Sequence, residues 1–315
     1  MGHDDGLARR FLHVCLNIRD FDRSRRFYGD ALGLRLAMQT DAARSEDAAV
    51  LGIAGPTSSR ASFMYDWRGP RSSSALELVE WMDPPTEGRP YDDVSIPGLH
   101  AFAVSVPSLK GMSDRIVAAG GTVLRERGAS VFATNSADAI LLRDPDGANV
   151  EVVEDDCPTS TVLGIRATCA DLDSSIAFYE TIGFKIVNNP RVGEFIWGTG
   201  KAVTLGLPED DGGFALCLTQ PDGSARQGDS YKSAYHSGFT RMALRVDDAE
   251  ETRSQMVSKG LALRGPFPVS LGGTAVQDLR ISGVDDPDGT LVEFVDRPKE
   301  FFRPPPEHPA DIGPR

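Results

Sequence analysis

The chain has 315 residues, with 40% hydrophobic and 25% charged side chains, enough for two globular domains of ordinary size, each with its own core. A formal charge of −13 sets a field that repels polyanions, which argues against nucleic acid or an anionic membrane as the main partner. No apolar run approaches the roughly 18 residues of a membrane span, the N-terminus lacks a signal peptide's regions, and the four cysteines show neither pairing nor zinc-type spacing. A cytoplasmic location is the resulting expectation.

In chain order, Phe11 to Leu34 (FLHVCLNIRDFDRSRRFYGDALGL) predicts a strand, a turn at Asp20, an amphipathic helix carrying Phe27-Tyr28 and a stop at Gly33. ALELVEW, residues 75–81, alternates like a strand, and residues 83–97 are rich in Pro, Gly and Asp, as a linker is. GLHAFAVSV at 98–106 opens a second unit that ends in the turn and strand DPDGANVEVVE, residues 144–154. After a short polar seam at 155–160 the plan repeats. Val162 to Phe184 matches the first unit, with Asp171 as the cap and Gly183 as the stop, and GFTRMALRV at 238–246 with DDPDGTLVEFVDR at 285–297 matches the second. Four units result, near 10–83, 98–155, 162–221 and 238–297. A proline-rich tail, 301–315, reads as an extended tail or an arm lying on a partner.

Strand periodicity selects the candidate chemistry. Leu12, Val14, Leu16 and Ile18 form one apolar face, so His13, Cys15 and Asn17 point to whatever the sheet encloses. By the same count Glu77 and Glu151 face inward, while both faces of 99–106 are apolar around His100. Buried imidazoles and carboxylates need partners, and His13, Glu77, His100 and Glu151 can find them around one divalent ion: Ni, Co, Mn, Fe or Zn. The matching points of the second half are Gly164, Cys217, Thr240 and Glu293, which leaves that half without a ligand set. Arg166 and Thr168 match Cys15 and Asn17, a polar lining for the second cavity.

With these segments the sequence resembles the vicinal oxygen chelate superfamily, the group of glyoxalases, bleomycin-resistance proteins and extradiol dioxygenases. The resemblance implies an α+β fold of four tandem βαβββ modules that pair into two U-shaped mixed sheets with helices outside. It also implies that each site draws ligands from both modules of a pair. Pairing one with two and three with four gathers all four good ligands in an N-terminal domain, 1–157, and leaves a metal-free C-terminal domain, 158–300. One with four would instead collect His13, Glu77, Thr240 and Glu293. By resemblance to glyoxalases and epimerases, Glu151 is the expected base and Glu77 its opposed proton partner.

The first expectation for function is therefore a metal-dependent isomerase, epimerase or lyase acting on a small hydroxy-carbonyl compound, with sugar- and cyclitol-like ketones among the candidates. The second is an extradiol-type dioxygenase with an iron triad of His13, His100 and Glu151. The third is a metal-free binding or resistance protein. A homodimer is compatible with the family.

Overall fold

A computed structural model of the chain describes residues 7–304 apart from 43, 46, 134–137, 211–212, 224–229 and 232, together with residue 309. The first unit comprises β1 (Arg10–Ile18), α1 (Phe21–Arg25, continued as a π-helical turn over Arg26–Ala31), β2 (Arg35–Gln39), β3 (Arg44–Ser45), β4 (Thr57–Tyr65) and β5 (Ala75–Asp83). The second has β6 (Gly98–Val106), α2 (Met112–Ala118), β7 (Thr122–Ala129), β8 (Asp138–Arg143) and β9 (Asn149–Glu154). The third has β10 (Thr161–Thr168), α3 (Leu172–Thr181), β11 (Lys185–Phe195), β12 (Gly198–Gly206) and β13 (Ala215–Pro221). The fourth has β14 (Gly238–Val246), α4 (Ala249–Ser258), β15 (Arg264–Val269), β16 (Leu279–Asp285) and β17 (Leu291–Asp296).

The expected signals work locally. Asp20 and Asp171 cap α1 and α3, their side chains accepting from the backbone N–H groups of Arg23 and Ser174. Each Asp-Pro-Asp-Gly segment makes a tight turn, with Asp144 and Asp286 accepting backbone N–H groups two and four residues on. Gly147 and Gly289 take φ of 97° and 84°, which only glycine adopts without strain.

Four βαβββ units do form two mixed sheets, but not in the expected pairing. One sheet runs β15-β16-β17-β14-β1-β5-β4-β2, with β3 on β4, and so joins unit one to unit four. The other runs β11-β12-β13-β10-β6-β9-β8-β7 and joins unit two to unit three. Neither half of the chain makes a sheet of its own. The seam strands decide this: β1 pairs antiparallel with β14, and β6 with β10.

Units one and two do meet, through their helical faces. One core cluster takes Phe11 and Val14 from β1, Phe102 and Val104 from β6, and Tyr28, Ile116, Tyr179 and Met256 from the helices. Its polar ties repeat the symmetry. The Tyr28 hydroxyl donates to Asp144 at 3.0 Å and the Tyr179 hydroxyl to Asp286 at 2.8 Å, each tying the helix of one unit to the turn of the next. The concave faces of the two sheets carry their own smaller apolar clusters.

Both seams are bulged, which re-aims the side chains that matter. Between the pairs Phe11↔Leu244 and His13↔Ala243 one extra residue, Leu12, is inserted, and Thr240 is extra between Cys15↔Arg241 and Leu16↔Phe239. Phe11 therefore enters the core, and Leu12 turns with His13 to the concave face. The simple alternation expected for β1 fails at this one residue. On the other seam the extra residues are Leu163 and His100.

Candidate active site

The register fixes four corresponding corner positions on each sheet. On the nine-stranded sheet His13 lies opposite Ala243 and Arg241 opposite Cys15, while Glu77 pairs with Cys15 and Glu293 with Ala243. A local two-fold axis between β1 and β14 therefore exchanges His13 with Arg241 and Glu77 with Glu293. The same relation on the eight-stranded sheet selects Gly164, Ala101, Cys217 and Glu151.

The four residues expected to share one metal are thus divided. His13 and Glu77 lie on the nine-stranded sheet, and His100 and Glu151 lie on the other. His100 occupies the bulge, one residue before the corner held by Ala101, and its Nε2 is 2.6 Å from the Ile96 carbonyl. Burial, with Arg166 nearby, pushes its pKa down to about 3, so it is neutral. Glu151 is fully buried and accepts a short hydrogen bond from Ser130, and no partner reaches its other oxygen among the described residues. Gly164 cannot be replaced by a ligand in place, because a Cβ there would lie 2.0 Å from the Ala215 carbonyl oxygen.

The nine-stranded sheet instead gathers a cluster to which the C-terminal half, expected to lack a ligand set, contributes Arg241 and Glu293. His13 Nε2 lies 3.4 Å from Glu77 Oε2 and 3.9 Å from Glu293 Oε2. Between the two carboxylates sits Arg241, with Nη2 3.1 Å from Glu77 Oε2 and Nε 3.2 Å from Glu293 Oε1. Burial pushes the His13 pKa down more than Glu77 raises it. Burial likewise pushes Glu293 up to about 7, with Arg241 opposing and Glu77 reinforcing that shift. Burial works against charge on Arg241, but Cys15, Glu77 and Glu293 more than restore it. Burial, first of all, raises the Cys15 thiol far above neutrality, so it is no nucleophile.

Sequence reasoning missed Arg241, although a signal existed. An arginine inside GFTRMALRV, between residues that belong in a core, requires a buried counter-charge, and Glu293 was the nearest strand glutamate.

This cluster lies in a cavity of about 820 Å³ on the concave face. Phe63, Trp81, Phe301 and Phe302 supply aromatic wall, and Tyr65 and Arg297 add polar groups. Trp81 is held by its indole N–H on Asn17 at 3.0 Å, and Asn17 in turn donates to the carbonyls of Ala234 and His236. The start of the tail closes one side: Arg71 donates to the carbonyls of Phe301 and Glu300, and the Arg303 N–H donates to the Arg71 carbonyl. Residues 301–304 thus lie on their own chain; the remainder of the tail falls outside the described residues except for residue 309.

Paired curled sheets of βαβββ units, with a concave cavity whose floor is set by the seam strands, define a fold class, and sequence comparison gives the same answer. The Glyoxalase/Bleomycin resistance protein/Dioxygenase superfamily matches residues 10–152 and 162–294, and the chain belongs to that superfamily.

Among its relatives are enzymes of the family, such as a lactoylglutathione lyase of Arabidopsis thaliana, 24% identical over 94% of both chains. A half-length lactoylglutathione lyase of Haemophilus influenzae is 26% identical over 46% of this chain and 92% of its own. In fold the protein is similar to glyoxalase I from Zea mays, with a TM-score of 0.67 at 23% identity over 93% of this chain and 94% of that one. It is also similar to a putative dioxygenase from Bacillus subtilis, with a TM-score of 0.63 at 16% identity, over 93% and 86% of the chains. No helix among the described residues is long and apolar enough to cross a membrane.

The divalent ion expected from the resemblance sets a requirement that the donor set can be tested against. His13 lies within 4 Å of both Glu77 and Glu293, but the fourth corner is a cation in contact with both carboxylates. A divalent ion within about 4 Å of that guanidinium would meet roughly 8 kcal/mol of repulsion at an effective dielectric of about 20. Among the described residues no group of three or more His, Cys, Asp or Glu side chains is arranged to hold a metal. The residues as placed do not fit the ion.

Proposed function

We propose that the protein is a lyase or isomerase of the glyoxalase class that moves a proton next to the carbonyl of a small hydroxy-carbonyl compound bound in the cavity of the nine-stranded sheet. The observation that carries this reading is the pair of buried carboxylates, Glu77 and Glu293, set on either side of one fixed positive charge at the cavity floor. A proton removed from a carbon by one carboxylate can be returned by the other, which is the requirement of isomerisation and epimerisation. In place of the Glu151–Glu77 pair expected from resemblance, Glu77 and Glu293 take the opposed roles. His13, neutral beside both, orients them or the substrate hydroxyl.

Substrate positioning falls to the walls. Trp81 and Phe63 exclude water from the reacting carbon, and Arg297 and Tyr65 offer donors to a distal acidic group. Because the relatives are named for lactoylglutathione, its thiol-adduct precursors belong in the substrate panel beside sugar- and cyclitol-like ketones.

The experiment is deuterium wash-in at the carbon beside the carbonyl, followed by mass spectrometry across that panel. Exchange in the wild type, lost in Glu77→Gln and Glu293→Gln, supports the reading; oxygen uptake with catechols in place of exchange would overturn it. The dioxygenase reading would need His13 to share an iron with His100 and Glu151, whose strands belong to the other sheet, and this favours the proton-transfer reading. A metal-free binding protein is the second reading, favoured by the aromatic walls of the cavity. Tight ligand binding with no exchange of any probe would select it.

A further inference from the structure

We propose that the Arg241 guanidinium occupies the place of the metal, holding the oxyanion that develops on the substrate, so that this centre works without a divalent ion. This rests on the proton-transfer reading above, and its test separates the two.

Three observations lead here. The first is positional: the two-fold relation of β1 and β14 puts Arg241 where a second imidazole would complete a set with His13, Glu77 and Glu293. The second is contact. The guanidinium bridges both carboxylates at 3.1 and 3.2 Å, closer than His13 comes to either. The third is an unused donor: Arg241 is 7% exposed, it lines the cavity, and its Nη1 has no hydrogen-bond partner among the described residues. A buried N–H donor of a group that never loses its charge is a preorganised site for an anionic oxygen.

The chemistry balances without another component. With one carboxylate ionised and the other protonated, the two glutamates and Arg241 carry no net charge. The ionised carboxylate takes the proton from the carbon next to the carbonyl; the C–H electron pair forms the new C=C bond, and the carbonyl π pair moves onto oxygen, facing Nη1. The protonated carboxylate then gives its proton to carbon, the oxygen pair reforms the carbonyl, and the two glutamates have exchanged states. Return of the proton to the opposite face epimerises the substrate.

Metal binding gives a readout independent of turnover. Chelator-treated wild type, titrated with Ni²⁺, Co²⁺, Mn²⁺ and Zn²⁺ in a calorimeter, is expected to show no site that depends on His13. Arg241→His, which puts an imidazole opposite Cys15 as His13 stands opposite Ala243, is expected to gain one ion per chain and to lose it again with His13→Ala. Arg241→Ala, which leaves three donors and removes the cation, serves if the histidine variant does not fold. Exchange by the wild type should change less than about two-fold on chelation and fall by about 100-fold or more in Arg241→Gln, the loss of one oxyanion donor. One ion per chain in the wild type, lost in His13→Ala, would overturn the proposal, as would exchange abolished by chelator and restored by metal. If no probe exchanges but only Arg241→His binds metal, the function reading fails and the assignment of the centre stands.

Discussion

On the nine-stranded sheet the four corner positions hold His13, Glu77, Arg241 and Glu293; on the eight-stranded sheet the same positions hold Gly164, Cys217, Ala101 and Glu151. Both concave faces carry a buried arginine on a seam strand. In the first, Arg241 is met by two carboxylates and opens on a large cavity. In the second, Arg166 is fully buried, none of its nitrogens has a hydrogen-bond partner among the described residues, and its Cζ lies 5.4 Å from the Trp197 ring centroid. Its charge is opposed by burial and supported chiefly by Glu151. One frame thus yields a centre with one carboxylate more than its cation needs, able to trade a proton, and a centre with a single carboxylate for its cation. The two sheets share the geometry and differ at the corners.

The largest expected consequence separates the faces by activity. Glu77→Gln should lower deuterium exchange by about 10²–10⁴-fold, the range for loss of a positioned base, whereas Glu151→Gln should stay within about two-fold of the wild type. Equal losses would erase the distinction drawn between the sheets.

Stability gives the next contrast. Arg166→Met takes from the buried Glu151 a charge that helps to hold it ionised and should lower the unfolding free energy by less than the roughly 3–5 kcal/mol of a broken contact pair, because no hydrogen bond joins the two. The double change Glu151→Leu with Arg166→Met removes both charges and should recover most of that loss. A double variant as weak as the single one would show that packing, not the pair, holds this face.

A smaller effect appears as pH dependence. Burial raises Glu293 from 4.5 to about 7 in the folded protein. Below pH 4.5 both states hold this proton; between 4.5 and about 7 the unfolded chain releases it first. The group's contribution to stability therefore falls as pH rises through that window and levels off above it. Glu293→Gln should flatten the slope of unfolding free energy against pH between 4.5 and 7. An unchanged slope would mean that Glu293 is as ionised in the fold as in the unfolded chain.

The smallest effects should be equal on the two sheets. Asp20→Ala and Asp171→Ala each remove one helix cap, in units one and three, and should each cost about 1 kcal/mol with no change in exchange. Unequal costs would show that the sheets differ in scaffold as well as in chemistry.

Much of this was legible in the sequence. The repeat, the caps at Asp20 and Asp171 and the Asp-Pro-Asp-Gly turns are local signals, and they specify four units wherever those units later pair. Pairing is not local. Either arrangement joins first strands of similar apolar pattern, so nothing in FLHVCLNI or GLHAFAVSV says which partner each accepts. The bulges were equally hidden, since one inserted residue shifts the alternation. Leu12 thereby joins His13 on the cavity side, and His100 falls one place short of the corner held by Ala101. His13 and Glu77 were found because period-two counting holds where the strand is regular. Arg241 was missed because Thr240, the bulged residue beside it, aligns with His13 in sequence while Arg241 matches it in space.

The most direct measurement is anomalous diffraction at the nickel edge from crystals of the wild type and of Arg241→His, both soaked in Ni²⁺. An arginine-centred site should give no anomalous peak at His13 in the wild type, with guanidinium density bridging Glu77 and Glu293, and a peak among His13, Glu77 and Glu293 in the variant. A wild-type peak bonded to His13 Nε2 and both carboxylates, with Arg241 turned out of the cluster, would contradict it.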